Sequence, residues 1–204
     1  MNWYWLLVPV SYLIGSVSFA YIAGRMKGID LREHGSRNLG ATNAGRVLGK
    51  KWFLLVFLCD LGKGVACVLA ARWLCNDVGW LPLACGAAVI LGHTFTCYHG
   101  FKGGKAIATS EGVLAALVYQ IALTILAVWL IVYAIGYLVF RAGAANSVGP
   151  ASICAAAAVP FAAFAMQRDP LAMPSLPITV FCCLLSALVL YKHRSNIMKL
   201  VRHH

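Results

Sequence analysis

The sequence predicts an all-α integral membrane protein with seven transmembrane helices, its N-terminus outside and its C-terminus in the cytoplasm. Three observations carry that expectation. Of 204 residues, 61% are hydrophobic and only 11% charged, with a mean hydropathy of +0.80, a composition outside that of soluble globular domains. Apolar stretches near the ~20 residues that a bilayer-spanning helix needs recur along almost the whole chain, so residues 1–204 read as a single membrane-embedded domain. Basic residues crowd the loops that one topology places on a single face.

The first stretch, residues 3–24, lacks the basic start and small-residue cleavage pattern of a signal peptide. Trp3, Tyr4 and Trp5 at its beginning suit an interfacial aromatic belt. A polar loop, 25–51, precedes an apolar run at 52–74, and a tight turn at 75–79 leads into a third run from 80 to about 98. The glycine-rich FKGGKA follows. Residues 107–140 are apolar except at 109–112 and 119–120, too long for one helix and therefore expected as two, divided at 119–120. Residues 141–149 read as a glycine-containing loop; spans at 150–166 and about 174–192, separated by QRDPLAMP, complete the seven before a short basic tail.

Orientation follows from the positive-inside bias. A cytoplasmic 25–51 loop holds Arg25, Lys27, Arg32, Arg37, Arg46, Lys50 and Lys51. On the same side fall Lys102, Lys105, Arg141, and the tail residues Lys192, Arg194, Lys199 and Arg202. Only Arg72 and Arg168 lie near the other face, and Lys63 lies within a span. A net charge of +11 suits nucleic acid, a membrane surface or an anionic substrate. Because these charges sit in loops between apolar spans, membrane lipid and anionic substrates are the expected partners, and nucleic acid is not. The eight cysteines have no ligand-like spacing to any histidine and are expected as packing residues, with no metal and no disulfide framework.

Topology does not require the glycine-rich character of the inner loops. In GSRNLGATNAGRVLGKK, from 35 to 51, Gly35, Gly40, Gly45 and Gly49 let backbone amides turn toward an anion. Ser36, Asn38, Thr42 and Asn43 add neutral donors, and Arg46 adds a planar guanidinium. No Gly-Lys-Ser/Thr follows, so nucleotide binding is not indicated. Phosphate binding and a hydrophilic connector both fit this composition. In the second segment, GHTFTCYHGFKGGKAIAT, Lys102 and Lys105 bracket Gly103 and Gly104 just before an apolar helix, where amides and ammonium groups can converge on an anion. Two snorkelling lysines around a tight turn would look the same.

Asp60 and Lys63 lie three residues apart within a span and either neutralise one another or contact substrate. Glu111 is placed to do the same for Lys102 or Lys105. His193 and Asn196, at i and i+3 after the last span, share a face if the helix continues that far. His93 reads as a hydrogen-bonded packing residue, and His203-His204 as a possible tag remnant.

GSRNLGATNAGRVLGKK, DLGKG, GHTFTCYHGFKGGKAIAT and HRSNI, in that order between these spans, resemble the bacterial acyl-phosphate:glycerol-3-phosphate acyltransferases, the PlsY family. The resemblance implies a seven-helix enzyme of the bacterial cytoplasmic (inner) membrane with its active site toward the cytoplasm. Such an enzyme moves a fatty acyl group from acyl phosphate to the sn-1 hydroxyl of glycerol 3-phosphate. It further implies that Ser36, Asn38, Thr42, Asn43 and Arg46 belong to a first phosphate-binding loop, Lys102 and Lys105 to a second, and His193 and Asn196 to a C-terminal motif. Ser36, Arg46, Lys105 and His193 are the expected catalytic residues; Asn38, Gly40, Thr42, Asn43, Lys102, Gly103, Gly104 and Asn196 are the expected substrate-binding residues.

The chain departs from the family pattern in four places. Arg37 and Ala106 stand where the motifs usually carry glycine, the serine-rich segment near Ser152 is partial with a longer 141–149 loop, and the acidic residue after HRSNI is missing. Acyl phosphate is already activated, so alignment, charge stabilisation and removal of one proton suffice, with no cofactor and no metal. His193 is the candidate base by its ordinary pKa, or else it orients the acceptor. The rival readings are a family relative with an altered acceptor or without catalysis, and an anion or lipid transporter. The transporter lacks the repeated halves and midplane charges expected of it.

Overall fold

The computed structural model describes residues 3–75 and 79–202, in which helices are joined by turns and loops and no strand occurs. Positions 76–78 of the expected turn and His203-His204 lie outside the described residues. The chain forms two compact units, Met1–Leu117 and Val118–His204.

In the first unit a 3-10 turn, Trp3–Leu6, leads into α1 (Leu7–Ser16), α2 (Phe19–Met26), α3 (Ala41–Leu48), α4 (Lys50–Leu74), α5 (Leu81–Thr94), a short 3-10 turn at Cys97–His99, and α6 (Ile107–Leu117). In the second, α7 (Tyr119–Ala134) runs into a π turn at Ile135–Val139, followed by α8 (Ala144–Met166), α9 (Leu176–Lys192) and α10 (Arg194–Arg202). Among the described residues, five segments are long and apolar enough to cross a membrane: Trp3–Met26, Lys50–Leu74, Leu81–His99, Tyr119–Val139 and Ala144–Met166. Ile107–Leu117 and Leu176–Lys192 are shorter apolar helices. Side chains such as Trp73, Phe140 and Phe161 point outward at 85%, 75% and 76% exposure, as lipid-facing residues would.

The division expected within 107–140 falls at Val118, whose φ of −147° and ψ of 82° leave the helical region. Two expectations are corrected. The first span is not one helix: Val17 and Ser18 are extended, and Ser18 Oγ restarts the helix by accepting from Tyr21 N at 3.2 Å. Most of the expected 141–149 loop is helical, because α8 begins at Ala144 directly after Gly143, at φ 77°. Gly149 and Pro150, at the expected boundary between loop and span, both continue the helix. Apolar helices tolerate such residues where neighbours satisfy the freed backbone groups. Among the cysteines, Cys67, Cys75, Cys85 and Cys182 are buried packing residues, whereas Cys154 and Cys183 face outward.

Glycines set how closely the first unit packs. A methyl on Gly15 would strike the Val89 carbonyl and one on Gly92 the Tyr12 carbonyl, so α1 and α5 meet backbone to backbone. Gly64 and Gly112 do the same for α4 and α6, against the carbonyls of Thr109 and Leu61. Leu31 and Leu39, near the two ends of the polar loop, are buried with Ala20, Ala23, Ala44 and Val56. Those anchors bring the loop down onto α2, α3 and α4, which is why so polar a segment has a defined shape.

Candidate phosphate-binding site

The first loop is built around Asn43. Its side chain is fully buried in the first turn of α3; Nδ2 donates to the carbonyls of Leu31 and His34, both at 3.1 Å, and Oδ1 accepts from Ser36 N at 2.7 Å. One amide therefore satisfies three backbone groups of the loop. Gly40 precedes α3 in an extended conformation, φ −145° and ψ 169°, and the i, i+4 spacing of Thr42 and Arg46 places both on one face of that helix. At the loop's start, Arg32 grips Asp30 bidentately, Nε to Oδ1 at 2.9 Å and Nη2 to Oδ2 at 2.6 Å. This guanidinium holds the half-buried Asp30 carboxyl well below the usual carboxylate range, and the carboxylate in turn raises the Arg32 pKa. Arg32 also lies over the Tyr21 ring, 5.0 Å from its centroid, and Tyr21 packs on His99 with ring centroids 4.4 Å apart.

The second loop hangs from the end of α5. Gly103 N donates to Thr94 O at 3.2 Å and Gly104 N to His93 O at 3.0 Å. Neither glycine has room for a side chain: a Cβ on Gly103 would meet the His93 carbonyl, and one on Gly104 the His93 ring at Nε2 and the Leu39 carbonyl. Leu39 belongs to the first loop, so the two glycine-rich segments pack directly on one another. Between them lies a cavity of about 590 Å³ lined by Arg32, Arg37 and Leu39 from the first and His99, Gly100, Lys102 and Gly103 from the second. Three cationic side chains thus border one cavity formed from segments some sixty to seventy residues apart in sequence.

Of the expected site residues, Lys102 and Gly103 line this cavity, and Gly104 forms the seat beneath it. Ser36, Asn38, Gly40, Thr42, Arg46 and Lys105 sit on the same two segments but outside that lining, with Ser36 and Arg46 exposed and Asn38, Thr42 and Lys105 half-buried. Arg32 was counted in the sequence only as a topology residue. Its signal there was the DLR spacing that pairs it with Asp30.

The two departures from glycine are informative. Arg37 has φ 59° and Ala106 φ 63°, both in the left-handed region that glycine enters at no steric cost. The backbone shape that a glycine would supply is therefore present, and the side chains are carried on it at a cost. Arg37→Gly is expected to raise the melting temperature by relieving that strain, worth about 1 kcal/mol. Arg37→Ala keeps the strain and removes only the charge, so thermal melting of the two variants separates the contributions.

In the second unit, His193 is the joint between α9 and α10, with φ −95° and ψ 5°. The helix does not run straight through HRSNI, although Asn196 N still donates to His193 O at 2.8 Å. The His193 ring is buried, and its Nδ1 lies 2.9 Å from Val189 O. A carbonyl only accepts, so Nδ1 carries the hydrogen of that contact. Asn196 Nδ2 lies against Gly149, where a Cβ would come within 2.9 Å of it. Ser152 is buried and accepts from Trp129 Nε1 at 3.2 Å.

The glycerol-3-phosphate acyltransferase family model matches residues 5–203. Similar proteins include the glycerol-3-phosphate acyltransferases of Gloeobacter violaceus, 39% identical over 99% of this chain and 94% of the relative. Those of Halalkalibacterium halodurans are 41% identical over 97% and 91%, and of Aquifex aeolicus 37% identical over 96% and 94%. Two crystal structures of PlsY, an integral membrane glycerol 3-phosphate acyltransferase, also match. The glycerol 3-phosphate form has a TM-score of 0.84 at 34% identity, covering 99% of this chain and 94% of that one. The lysophosphatidic acid form has a TM-score of 0.82 at 32% identity, covering 99% and 93%.

Proposed function

This chain belongs to the glycerol-3-phosphate acyltransferase family, and on that premise we propose that it transfers a fatty acyl group from acyl phosphate to the sn-1 hydroxyl of glycerol 3-phosphate. The products are lysophosphatidic acid and inorganic phosphate. The observation that carries this reading is the cavity where the two glycine-rich loops meet under Arg32, Arg37 and Lys102. Both substrates bear phosphate, and clustered cations suit dianions.

Ser36, Arg46, Lys105 and His193 are assigned to catalysis, and Asn38, Gly40, Thr42, Asn43, Lys102, Gly103, Gly104 and Asn196 to substrate binding. The acyl carbon is attacked by the acceptor hydroxyl, the carbon–oxygen bond to phosphate breaks, and the departing phosphate takes the developing charge. Cations aimed at that phosphate act where charge develops, so they lower the barrier as well as tighten binding. The proton leaves the hydroxyl toward His193 Nε2 or toward the phosphate. If His193 is the base, His193→Ala lowers the rate at saturating substrate by about 10²- to 10⁴-fold and flattens the acid limb of its pH profile. A near-normal rate with a raised KM assigns it to orienting the acceptor.

The chain is an integral membrane protein by its apolar helices and its family. We further propose seven spans, the five long ones with Ile107–Leu117 and Leu176–Lys192, forming one domain over 1–204 in the bacterial inner membrane. The N-terminus is then outside and the loops with the cavity face the cytoplasm, which the positive-inside bias supports. The test is purified protein given palmitoyl phosphate and glycerol 3-phosphate, with phosphate and lysophosphatidic acid both measured. Equal release of the two is expected; binding of both substrates without either product would overturn the assignment.

A further inference from the structure

We propose that Asp60, Lys63 and His93 are positioning residues, a buried polar chain that ties the break in the first span to the seat of the FKGGKA loop and so fixes where that loop presents Lys102 and Lys105. Asp60, Lys63 and His93 are 2%, 5% and 7% exposed. Charges buried to that extent are costly unless fully engaged, and within a span they mark a functional arrangement by default.

The chain begins at the interruption between α1 and α2. Lys63 Nζ donates to the carbonyls of Gly15 and Val17, each at 3.0 Å, and lies 2.8 Å from Asp60 Oδ1. Thr96 Oγ1 donates to the intervening Ser16 carbonyl at 2.7 Å. The carbonyls left over where the helix is broken are thereby satisfied by α4 and by the segment just after α5. Asp60 Oδ1 is also 3.4 Å from His93 Nδ1. The opposite edge of that imidazole, Nε2, is the nearest of the groups that leave Gly104 no space for a side chain, the Leu39 carbonyl being the other, and the His93 carbonyl accepts from Gly104 N. Through Asp60 on one side and Gly104 on the other, a single histidine couples the ion pair to the backbone between the two lysines.

A misplacement of about 1 Å in groups that hold a reacting phosphate costs on the order of 100-fold in rate, so the seat's geometry matters although none of the three residues lines the cavity. The inference rests on the acyl-transfer reading only for its kinetic readout.

The test is a double-mutant cycle between His93→Asn and Gly104→Ala. Asparagine keeps a donor at the Nδ1 position, so the Asp60–Lys63 pair stays engaged and the protein folds, while the edge beside Gly104 is lost. His93→Asn is expected to lower kcat/KM by about 30-fold and Gly104→Ala by about 100-fold. The double variant falls by less than the product of the two singles, because the ring edge that crowds the alanine most is gone and only the Leu39 carbonyl still crowds it. Affinities for glycerol 3-phosphate and for palmitoyl phosphate, each measured alone by calorimetry, carry the same cycle for at least one of the two. The network is therefore tested even in a protein that transfers nothing, and loss of transfer in the parent would count against the enzyme assignment alone. Multiplicative losses in the double variant, or wild-type binding and kinetics in His93→Asn, would overturn the proposal.

Discussion

Replacing Lys102 and Lys105 together by methionine is expected to lower kcat/KM by about 10²- to 10⁴-fold and to leave the melting temperature within a few degrees of the parent. Hydrogen bonds to charged groups are worth about 1.5–3 kcal/mol each, and two of them lost from a phosphate in the transition state give that range. Stability is spared because Lys102 is exposed and Lys105 half-buried, both on a loop whose shape comes from Gly103, Gly104 and the carbonyls of His93 and Thr94. Methionine preserves the length and apolar stem of each side chain and removes only the charge. The measurement is steady-state transfer at several salt concentrations. The parent's KM should rise with ionic strength, as an electrostatic contact in an open cavity requires, and the variant's should rise less steeply, since Arg32 and Arg37 still border the cavity. A variant within threefold of the parent would remove the second loop from the reaction.

The apolar stretches were legible in the sequence because hydropathy depends only on composition over a window, and the division near Val118 was legible because 107–140 exceeds what one span needs. The interruption at Val17 and Ser18 was not, since neither residue is a helix breaker. It is held open by Lys63, more than forty residues away, a contact no local pattern carries. Glycine and donor content marked the two loops as candidates for holding an anion without deciding against a hydrophilic connector, and the backbone contacts by which they pack together were not legible. That packing depends on Leu31 and Leu39 being buried and on Leu39 O lying against Gly104. Arg37 and Ala106 stood out only against the motif's glycines, and the left-handed backbone at both explains why glycine is the usual residue there.

Asn43 shows the remaining gap most clearly. By composition it is one of several neutral donors available to an anion, yet its amide is fully buried and engages Ser36 N, Leu31 O and His34 O. Asn43→Ala removes three bonds at once; His34 O keeps Arg37 N, but Ser36 N and Leu31 O lose the partner Asn43 gave them, at about 1–3 kcal/mol each. The expected destabilisation is roughly 2–6 kcal/mol if water does not enter, and less where it does. Transfer should fall by at least about 100-fold, because Ser36 and Arg37 lose the backbone that places them. Asn43→Asp separates positioning from direct contact with substrate. A carboxylate still accepts from Ser36 N but offers no donor to the two carbonyls and repels them, so it should be at least as damaging to stability as alanine. A residue whose amide acted only on the bound phosphate would behave differently: either substitution would weaken binding while the melting temperature held. Parental melting in both variants would therefore return Asn43 to the ligand set, and a joint loss of melting temperature and rate assigns it to the frame of the first loop.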